Sequence, residues 1–135
     1  MYLLINTSKE NCLDVFLISA DKAYQLSKKG DFKVSENLLV LIDKILIKHS
    51  VKKQHLKGII AITGPGPFTS VRIAVTVANN LAYALDIPVI GLKNLKQSSD
   101  QDLIKQAYKK IKKAKRGEII KPFYNKEANI TQAKK

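Results

Sequence analysis

The sequence predicts an α/β fold built on a five-stranded mixed sheet, and three observations carry that prediction. Three short apolar stretches joined by polar turns begin the chain, which is typical of an antiparallel meander. Two amphipathic helical patterns then alternate with two further apolar stretches, and helix crossovers place successive strands parallel. A chain of 135 residues, 45% hydrophobic and 26% charged, is long enough for one core of a globular protein. The predicted order is βββαβαβ, followed by a basic helix.

The first three strands are predicted over Tyr2–Asn6, Cys12–Ser19 and Ala23–Lys29. In the second strand both faces are largely apolar apart from Asp14. The single cysteine, Cys12, excludes an internal disulfide framework and fits a reducing cytoplasm, where it is expected to act as a small buried hydrophobe. No apolar run is long enough for a membrane span, and the N-terminus lacks the pattern of a signal peptide. We therefore expect a cytoplasmic protein with no membrane association.

The first helix is predicted over Ser35–His49, with Ser35 as its N-cap. Apolar residues recur at helical spacing along one side and form a core stripe: Leu38, Leu41, Ile42 and Ile45. Val40 and Ile47 lie on the far side beside Glu36 and Asp43, so this helix also carries apolar residues away from its core.

The central strand is predicted over Gly58–Thr63, and a glycine- and proline-rich elbow leads from it into a long helix that ends at Leu85. Thr69 or Ser70 is expected to cap that helix. Its core stripe is Val71, Ala74, Val75, Ala78, Leu81, Ala82 and Leu85. On the other side the only charge is Arg72, whereas solvated helix faces usually carry lysine and glutamate. An uncharged outer face of small residues predicts that another surface packs there.

A fifth strand is predicted over Pro88–Leu92 and a basic amphipathic helix over Asp100–Lys115, with a short strand over Glu118–Tyr124. Residues 92–135 carry 13 Lys and Arg against 4 Asp and Glu. Such a surface favours an anionic ligand such as RNA, and the alternative is a solvated lysine-rich tail. The candidate RNA contacts are Lys105, Lys109, Lys112, Lys113 and Arg116. The chain is accordingly divided into residues 1–95 and a basic segment, 96–135.

Several motifs in this order resemble the TsaB (YeaZ) family, the noncatalytic partner subunits in bacterial synthesis of threonylcarbamoyladenosine on tRNA. NTSKENC (Asn6–Cys12) resembles the family's DTSTEAC, and VSENLLVLI (Val34–Ile42) resembles HSE-x-LLP-x-I. GPGPFTSVRIA (Gly64–Ala74) resembles the signature GPGSFTGLRIG, and ALDIPVIGL (Ala84–Leu92) and KPFY (Lys121–Tyr124) also look like the family. The resemblance implies an actin-like, ribonuclease-H-like ATPase fold. The signature loop residues are Gly64, Pro65, Gly66, Phe68 and Thr69.

The sequence departs from this family at positions that bear on chemistry. Asn6 replaces the aspartate of the first strand, and Val34 replaces the histidine of HSE. In the signature, Ser, Gly and Gly are replaced by Pro67, Ser70 and Ala74. The family's second subdomain is expected to be reduced to residues 96–135.

These departures weigh against catalysis and cofactor binding. A nucleotide site needs an acidic residue and backbone donors, but Pro65 and Pro67 remove two N–H groups from the elbow. The elbow is therefore interpreted as structural, with a residual nucleotide-binding remnant as the alternative. The only histidines, His49 and His55, do not form the HxxxH metal motif of the family's catalytic relative. We expect no catalytic, cofactor-binding or metal-binding residues.

In the family, the two helices that these predictions place side by side pack against the equivalent pair of the catalytic paralogue. The resemblance thus implies a scaffold that binds a TsaD-like subunit, or a second copy of itself through the same helices. A TsaE-like ATPase is a further expected partner, and contact with tRNA is expected to be indirect. The candidate interface residues are Leu39, Val40, Asp43, Ile47, Thr69, Arg72, Ile73, Thr76, Val77, Asn80, Tyr83 and Ala84. Two alternatives remain: the basic helix covers these faces, or the chain is an RNA-binding module.

Overall fold

The computed structural model describes residues 1–123 as one sheet with helices on both of its faces. The elements follow the predicted order: β1 (Tyr2–Asn6), β2 (Cys12–Ile18), β3 (Ala23–Lys29), α1 (Val34–Lys48), a 3-10 turn (Lys53–His55), β4 (Ile59–Gly64), α2 (Phe68–Leu85), β5 (Val89–Lys93) and α3 (Asp100–Ile111). The mixed five-stranded α/β architecture predicted from the sequence is confirmed.

The five strands lie in the order β3-β2-β1-β4-β5, so the first strand of the chain stands at the centre of the sheet. β1 pairs antiparallel with β2 and parallel with β4, where Leu3 stands opposite Ile59. β2 pairs antiparallel with β3, and β4 pairs parallel with β5. The antiparallel meander and the parallel crossovers are therefore both present.

One face of the sheet packs against α1 and α2 in the larger of two apolar clusters. Leu13, Val15 and Leu17 of β2 point to this side, and Ile45 and Ala78 are fully buried against the sheet from the two helices. Because alternate residues of a strand point to opposite faces, the remaining apolar residues of β2 must be covered from the other side.

The second face packs against α3. Phe16 and Ile18 of β2 join Leu103, Ala107 and Ile111 of the helix in a separate buried cluster. The basic helix therefore does not cover the outer faces of α1 and α2, and that alternative interpretation is wrong. Its buried stripe is already used on the opposite side of the sheet.

The starts of two helices differ from the predicted ones. α1 begins at Val34, one residue before Ser35, and α2 begins at Phe68, so Thr69 and Ser70 lie within its first turn. No side chain caps either helix, because the residues before them, Lys33 and Pro67, have no side-chain oxygen to accept and only their carbonyl groups do so. For α2, the carbonyl oxygen of Pro67 accepts from the N–H of Val71 at 3.0 Å.

The region after β5 also differs from the prediction. α3 ends at Ile111 rather than at Lys115, and residues 118–123 are not a strand. This segment has only one backbone hydrogen bond to the sheet, from the N–H of Phe123 to the carbonyl of Thr63 at 2.8 Å, which is too few for a strand ladder. Tyr124 and the polar residues after it lie outside the described residues.

Candidate partner interface and the elbow that positions it

α1 and α2 lie side by side on one face of the sheet, and their outer surfaces carry large apolar side chains. Leu39 and Val40 are each 49% exposed, Ile47 is 78% exposed and Tyr83 is 90% exposed. Scattered exposed apolar residues are ordinary on a protein surface, but four on one pair of adjacent helices form a concentrated set.

A groove of about 450 Å³ opens at the seam between the first turns of the two helices. Ile73 and Val77 are half-buried along its floor, because they also pack against the larger apolar cluster. The residues that line the groove are Ser35, Thr69, Arg72, Ile73, Thr76 and Val77. The groove is large enough for one or two apolar side chains of a second protein.

The remaining candidate interface positions of α2 face outward. Thr69, Thr76, Asn80 and Ala84 are exposed, and none carries a bulky side chain. Small residues on an outer face allow a second helix to approach closely. Asp43 of α1 is exposed as well and forms an ion pair with Lys53 at 3.2 Å.

Arg72 is the only charged residue among the 18 residues of α2. Its guanidinium lies 5.1 Å from the centre of the Phe68 ring, which is half exposed at the start of the helix. A guanidinium above a ring keeps N–H donors free at its edge, so Arg72 can still donate hydrogen bonds to a carboxylate at the rim of the groove.

The elbow before α2 is fixed against the turn between β1 and β2. A Cβ on Gly66 would lie 2.6 Å from the Cα of Ser8, so only glycine fits at this close approach. Gly64 has a φ of +126° and precedes a cis peptide bond to Pro65. The hydroxyl of the fully buried Thr7 donates to the carbonyl of Ser70 at 2.9 Å. These contacts hold the first turn of α2 in place, which supports the interpretation of the elbow as structural.

Asn6, at the end of β1, is almost completely buried. Its Oδ1 accepts from the backbone N–H of Ser8 at 2.9 Å and from the Ser8 hydroxyl at 2.6 Å, and its Nδ2 has no partner among the described residues. Its side-chain oxygen is therefore occupied in shaping the turn.

Asp14, the strand partner of Asn6 on β2, is buried too and accepts hydrogen bonds from Ser27, Gln25 and Lys9.

Cys12 is half-buried rather than buried, because it is the first residue of β2. Burial raises the pKa of the Cys12 thiol, and the neighbouring charge of Asp14 raises it further. Within residues 1–123, no group of three or more His, Cys, Asp or Glu residues could hold a metal ion.

The candidate RNA contacts lie on or after α3, on the other side of the sheet from the interface helices. Lys105, Lys109 and Lys113 are exposed, and Lys112 lies 5.2 Å from the centre of the Tyr108 ring. Arg116 instead forms an ion pair with Asp86, at 2.9 Å, at the end of α2. The sequence pattern therefore indicated a basic surface, but it did not reveal that Arg116 is held in an ion pair while the lysines are exposed.

Sequence reasoning missed Asn79, which faces the flank of α2 opposite to the seam. Its amide donates to the carbonyl of Ile120 at 2.9 Å and its Oδ1 accepts from the N–H of the same residue at 3.0 Å. This clamp fixes the segment after α3 against α2. The only signal in the sequence was an amide side chain on a helix that is otherwise mostly apolar. Among the described helices, none combines the length and the apolar character that crossing a bilayer requires.

Comparison with protein families and curated proteins gives consistent matches. The family model described as TsaD, tRNA N6-adenosine threonylcarbamoyltransferase, matches residues 32–127. The tRNA threonylcarbamoyladenosine biosynthesis protein TsaB of Buchnera aphidicola subsp. Acyrthosiphon pisum is 28% identical over 127 residues, covering 94% of this chain and 54% of that protein. TsaB of Haemophilus influenzae is 30% identical over 93 residues, covering 69% of this chain and 39% of that protein. The chain thus spans roughly half the length of the curated relatives it matches, or less.

Solved structures give the same result for the fold. YeaZ from Pseudomonas aeruginosa matches with a TM-score of 0.67 and 27% identity, over 78% of this chain and 51% of that one. A second P. aeruginosa structure, titled an uncharacterized protein with similarity to peptidase YEAZ, matches with a TM-score of 0.65 and 30% identity, over 70% and 44%. The expectation of an actin-like fold is confirmed.

Proposed function

The chain belongs to the TsaD family of tRNA N6-adenosine threonylcarbamoyltransferases and resembles its TsaB relatives, and we propose that it is a noncatalytic partner subunit of that tRNA modification. Its proposed task is to bind and stabilise a catalytic TsaD-like subunit. The single observation that carries this proposal is the set of large apolar side chains exposed on the outer surface of α1 and α2, together with the single charge of α2.

That surface has the chemistry of a protein interface. Interface cores are depleted of charged residues and enriched in aromatic and aliphatic side chains, and α1 and α2 expose Leu39, Ile47 and Tyr83 in addition to the groove near their N-terminal ends. A helix of the partner that lies along the seam would place an apolar side chain between Ile73 and Val77. Arg72 at the rim would then pair with a carboxylate, which would fix the register of the two proteins.

The lack of catalysis in this proposal is supported by the residues at the elbow. Asn6 stands where the TsaB resemblance has an aspartate, and its oxygen is already bound to Ser8. Gly66 is packed against the same turn, so the elbow holds no open cradle of backbone donors. The proposed setting is the cytoplasm, and a TsaE-like ATPase and a second copy of this chain are proposed as further partners.

The test is co-purification with a TsaD-like subunit after placing charges on the interface. Val77→Asp and Ile73→Lys are expected to abolish the complex, because each buries an unpaired charge at the seam. The side chains of Val77 and Ile73 are half-buried, so these two substitutions can also destabilise the subunit. Ile47→Lys and Tyr83→Lys therefore serve as second variants, because these positions are 78% and 90% exposed and a charge there leaves the core unchanged. These two are expected to weaken the complex at least tenfold while leaving the circular dichroism spectrum unchanged.

Ile119→Lys is the matched control, because Ile119 is also a large exposed apolar residue, 72% exposed, but lies after α3. It is expected to bind like the unchanged chain. Sedimentation of each variant alone tests whether a homodimer uses the same helices. If all four interface variants bind the TsaD-like subunit with unchanged affinity, the assignment of α1 and α2 to the interface is wrong.

A further inference from the structure

Two adjoining hollows run along the outer edge of β5, beside α3. One, of about 480 Å³, is lined by Thr63, Gly91, Lys93, Lys110, Ile120 and Lys121. The other, of about 370 Å³, is lined by Leu92, Gln106, Lys109, Lys110 and Lys113. Lys110 lines both hollows, so they are neighbours, and together they are here called the basic groove, defined by these residues. It lies beyond the flank of α2 that faces away from the seam with α1.

Among residues 1–123, the lining of the basic groove contains five lysines and no acidic residue. Within residues 1–123, none of the five forms an ion pair with a carboxylate. Lys110 donates to the carbonyl oxygen of Gly91 at 3.0 Å, and the ammonium of Lys93 lies 4.5 Å from the centre of the Phe123 ring. Neither contact neutralises a charge, and an ammonium has three donors, so each lysine can still bind an anion.

The surrounding chain strengthens the positive potential. Residues 103–117 contain seven Lys and Arg and no Asp or Glu. The one ion pair in this stretch, from Arg116 to Asp86, is on the α2 side and outside the groove lining. Lysines gathered on one surface repel each other, which slightly opposes folding. A polyanion that binds there relieves this repulsion, and its affinity increases with the number of charges that it neutralises.

We propose that the basic groove binds the phosphate backbone of RNA. A binding site for an acidic protein would be expected to offer aromatic or arginine anchors, but the described residues that line the groove include neither, and the nearby Phe123 ring is half-buried beside Lys93. Lysines act as point charges on phosphates and position a strand without reading its bases. The site therefore binds RNA independently of sequence, and it leaves the surface of α1 and α2 free for a protein partner. It goes beyond the proposed function and does not depend on it.

The experiment measures fluorescence anisotropy of a labelled tRNA transcript and of a 20-nucleotide oligouridine with the full chain at several salt concentrations. Each phosphate contact contributes about 0.7 to 0.9 to the slope of log affinity against log salt concentration. The groove variant replaces Lys109, Lys110, Lys113 and Lys121 by Gln. Its slope is expected to be smaller by about 3, with affinity about 10- to 100-fold lower in low salt.

The matched control replaces four exposed lysines on the other side of the molecule, Lys22, Lys29, Lys44 and Lys48, by Gln, and it has the same net charge as the groove variant. It is expected to lose less than threefold in affinity. Equal losses in the two variants would mean that overall charge attracts RNA, and no loss in the groove variant would mean that RNA binds elsewhere. Either result overturns the proposal.

Two further arms identify the ligand. Polyglutamate that competes as well as oligouridine at equal charge would assign the groove to acidic proteins and overturn the RNA assignment. Tighter binding of the tRNA transcript supports recognition of a folded backbone, whereas tighter binding of oligouridine supports a single strand. The groove variant leaves α1 and α2 unchanged, so its complex with a TsaD-like subunit is expected to persist. Loss of RNA binding and loss of the protein complex are therefore measured separately, and failure of one proposal does not imply failure of the other.

Discussion

The helices that cover the two faces of the sheet resemble each other on their buried sides and differ on their solvent-exposed sides. Both layers bury aliphatic side chains against the strands, with Ile45 on one side and Leu103 on the other almost completely buried. The outer faces of α1 and α2 expose large apolar side chains, with four charges in the 15 residues of α1 and one in the 18 residues of α2, whereas α3 carries five charges in 12 residues.

This difference separates the features that determine the fold from those that indicate function. The buried stripes are equivalent, and either could belong to any α/β protein. The outer faces have no role in the core, so their composition reflects what they meet in solution. An apolar face is suited to another protein, and a lysine-rich face is suited to an anion.

The largest expected effect comes from truncating the two cores in turn. Ile45→Ala and Leu103→Ala each remove a buried aliphatic side chain and leave a cavity, so each is expected to lower the free energy of unfolding by about 2–5 kcal/mol. Urea denaturation measures both. A loss below about 1 kcal/mol for Leu103→Ala would show that α3 is not part of the core and would break the equivalence of the two layers.

A smaller effect is expected where the two layers are tied together. Asn79→Ala removes two hydrogen bonds to Ile120 and leaves the backbone N–H and carbonyl of Ile120 without these partners. The free energy of unfolding is expected to fall by about 1–3 kcal/mol. Thermal unfolding measures the total, and hydrogen exchange of the Ile120 amide measures the local effect. Asn80→Ala is the control, because Asn80 is the exposed neighbour on the same helix. Equal effects of the two variants would contradict the clamp.

The smallest expected effect concerns the second tie between the layers. Arg116→Gln removes an ion pair to Asp86 whose side chains are 65% and 78% exposed, so the change is expected to be about 0–1 kcal/mol. Denaturation at low salt and at 1 M salt measures it, and the difference from the unchanged chain is expected to vanish at high salt. A loss above about 1.5 kcal/mol that persists at high salt would mean that Arg116 stabilises the fold by packing.

Much of the fold was predictable because the pattern of apolar residues is unambiguous. The apolar character of both faces of β2 was visible in the sequence and agrees with a sheet covered on both sides, and the stripe of α2 was assigned correctly at Val71, Ala74 and Val75. The exposed positions Ile47 and Tyr83 were also found, since a helical wheel separates the two sides of a helix whatever it packs against.

The predictions failed where tertiary contacts replace local signals. Thr69 and Ser70 are good N-cap residues, but the close contact between Gly66 and Ser8 sets where α2 begins. Residues 118–123 have the composition of a strand, yet Asn79 holds them through a side chain instead of a ladder. The basic groove joins Lys93 of β5 to lysines far along the chain, and no sequence spacing reveals that proximity. The roles of the interface and of the groove remain predictions.

The central position of β1 has a consequence for how the chain is made. Its partner on one side, β2, follows within a few residues, but its partner on the other side, β4, is synthesised more than 50 residues later. At about 5–20 residues per second, the ribosome leaves one edge of an apolar strand unpaired for roughly 3–10 s. An exposed apolar edge recruits other strands. The nascent chain is therefore expected to be most vulnerable to aggregation, and most dependent on chaperones, between the emergence of β3 and that of β4.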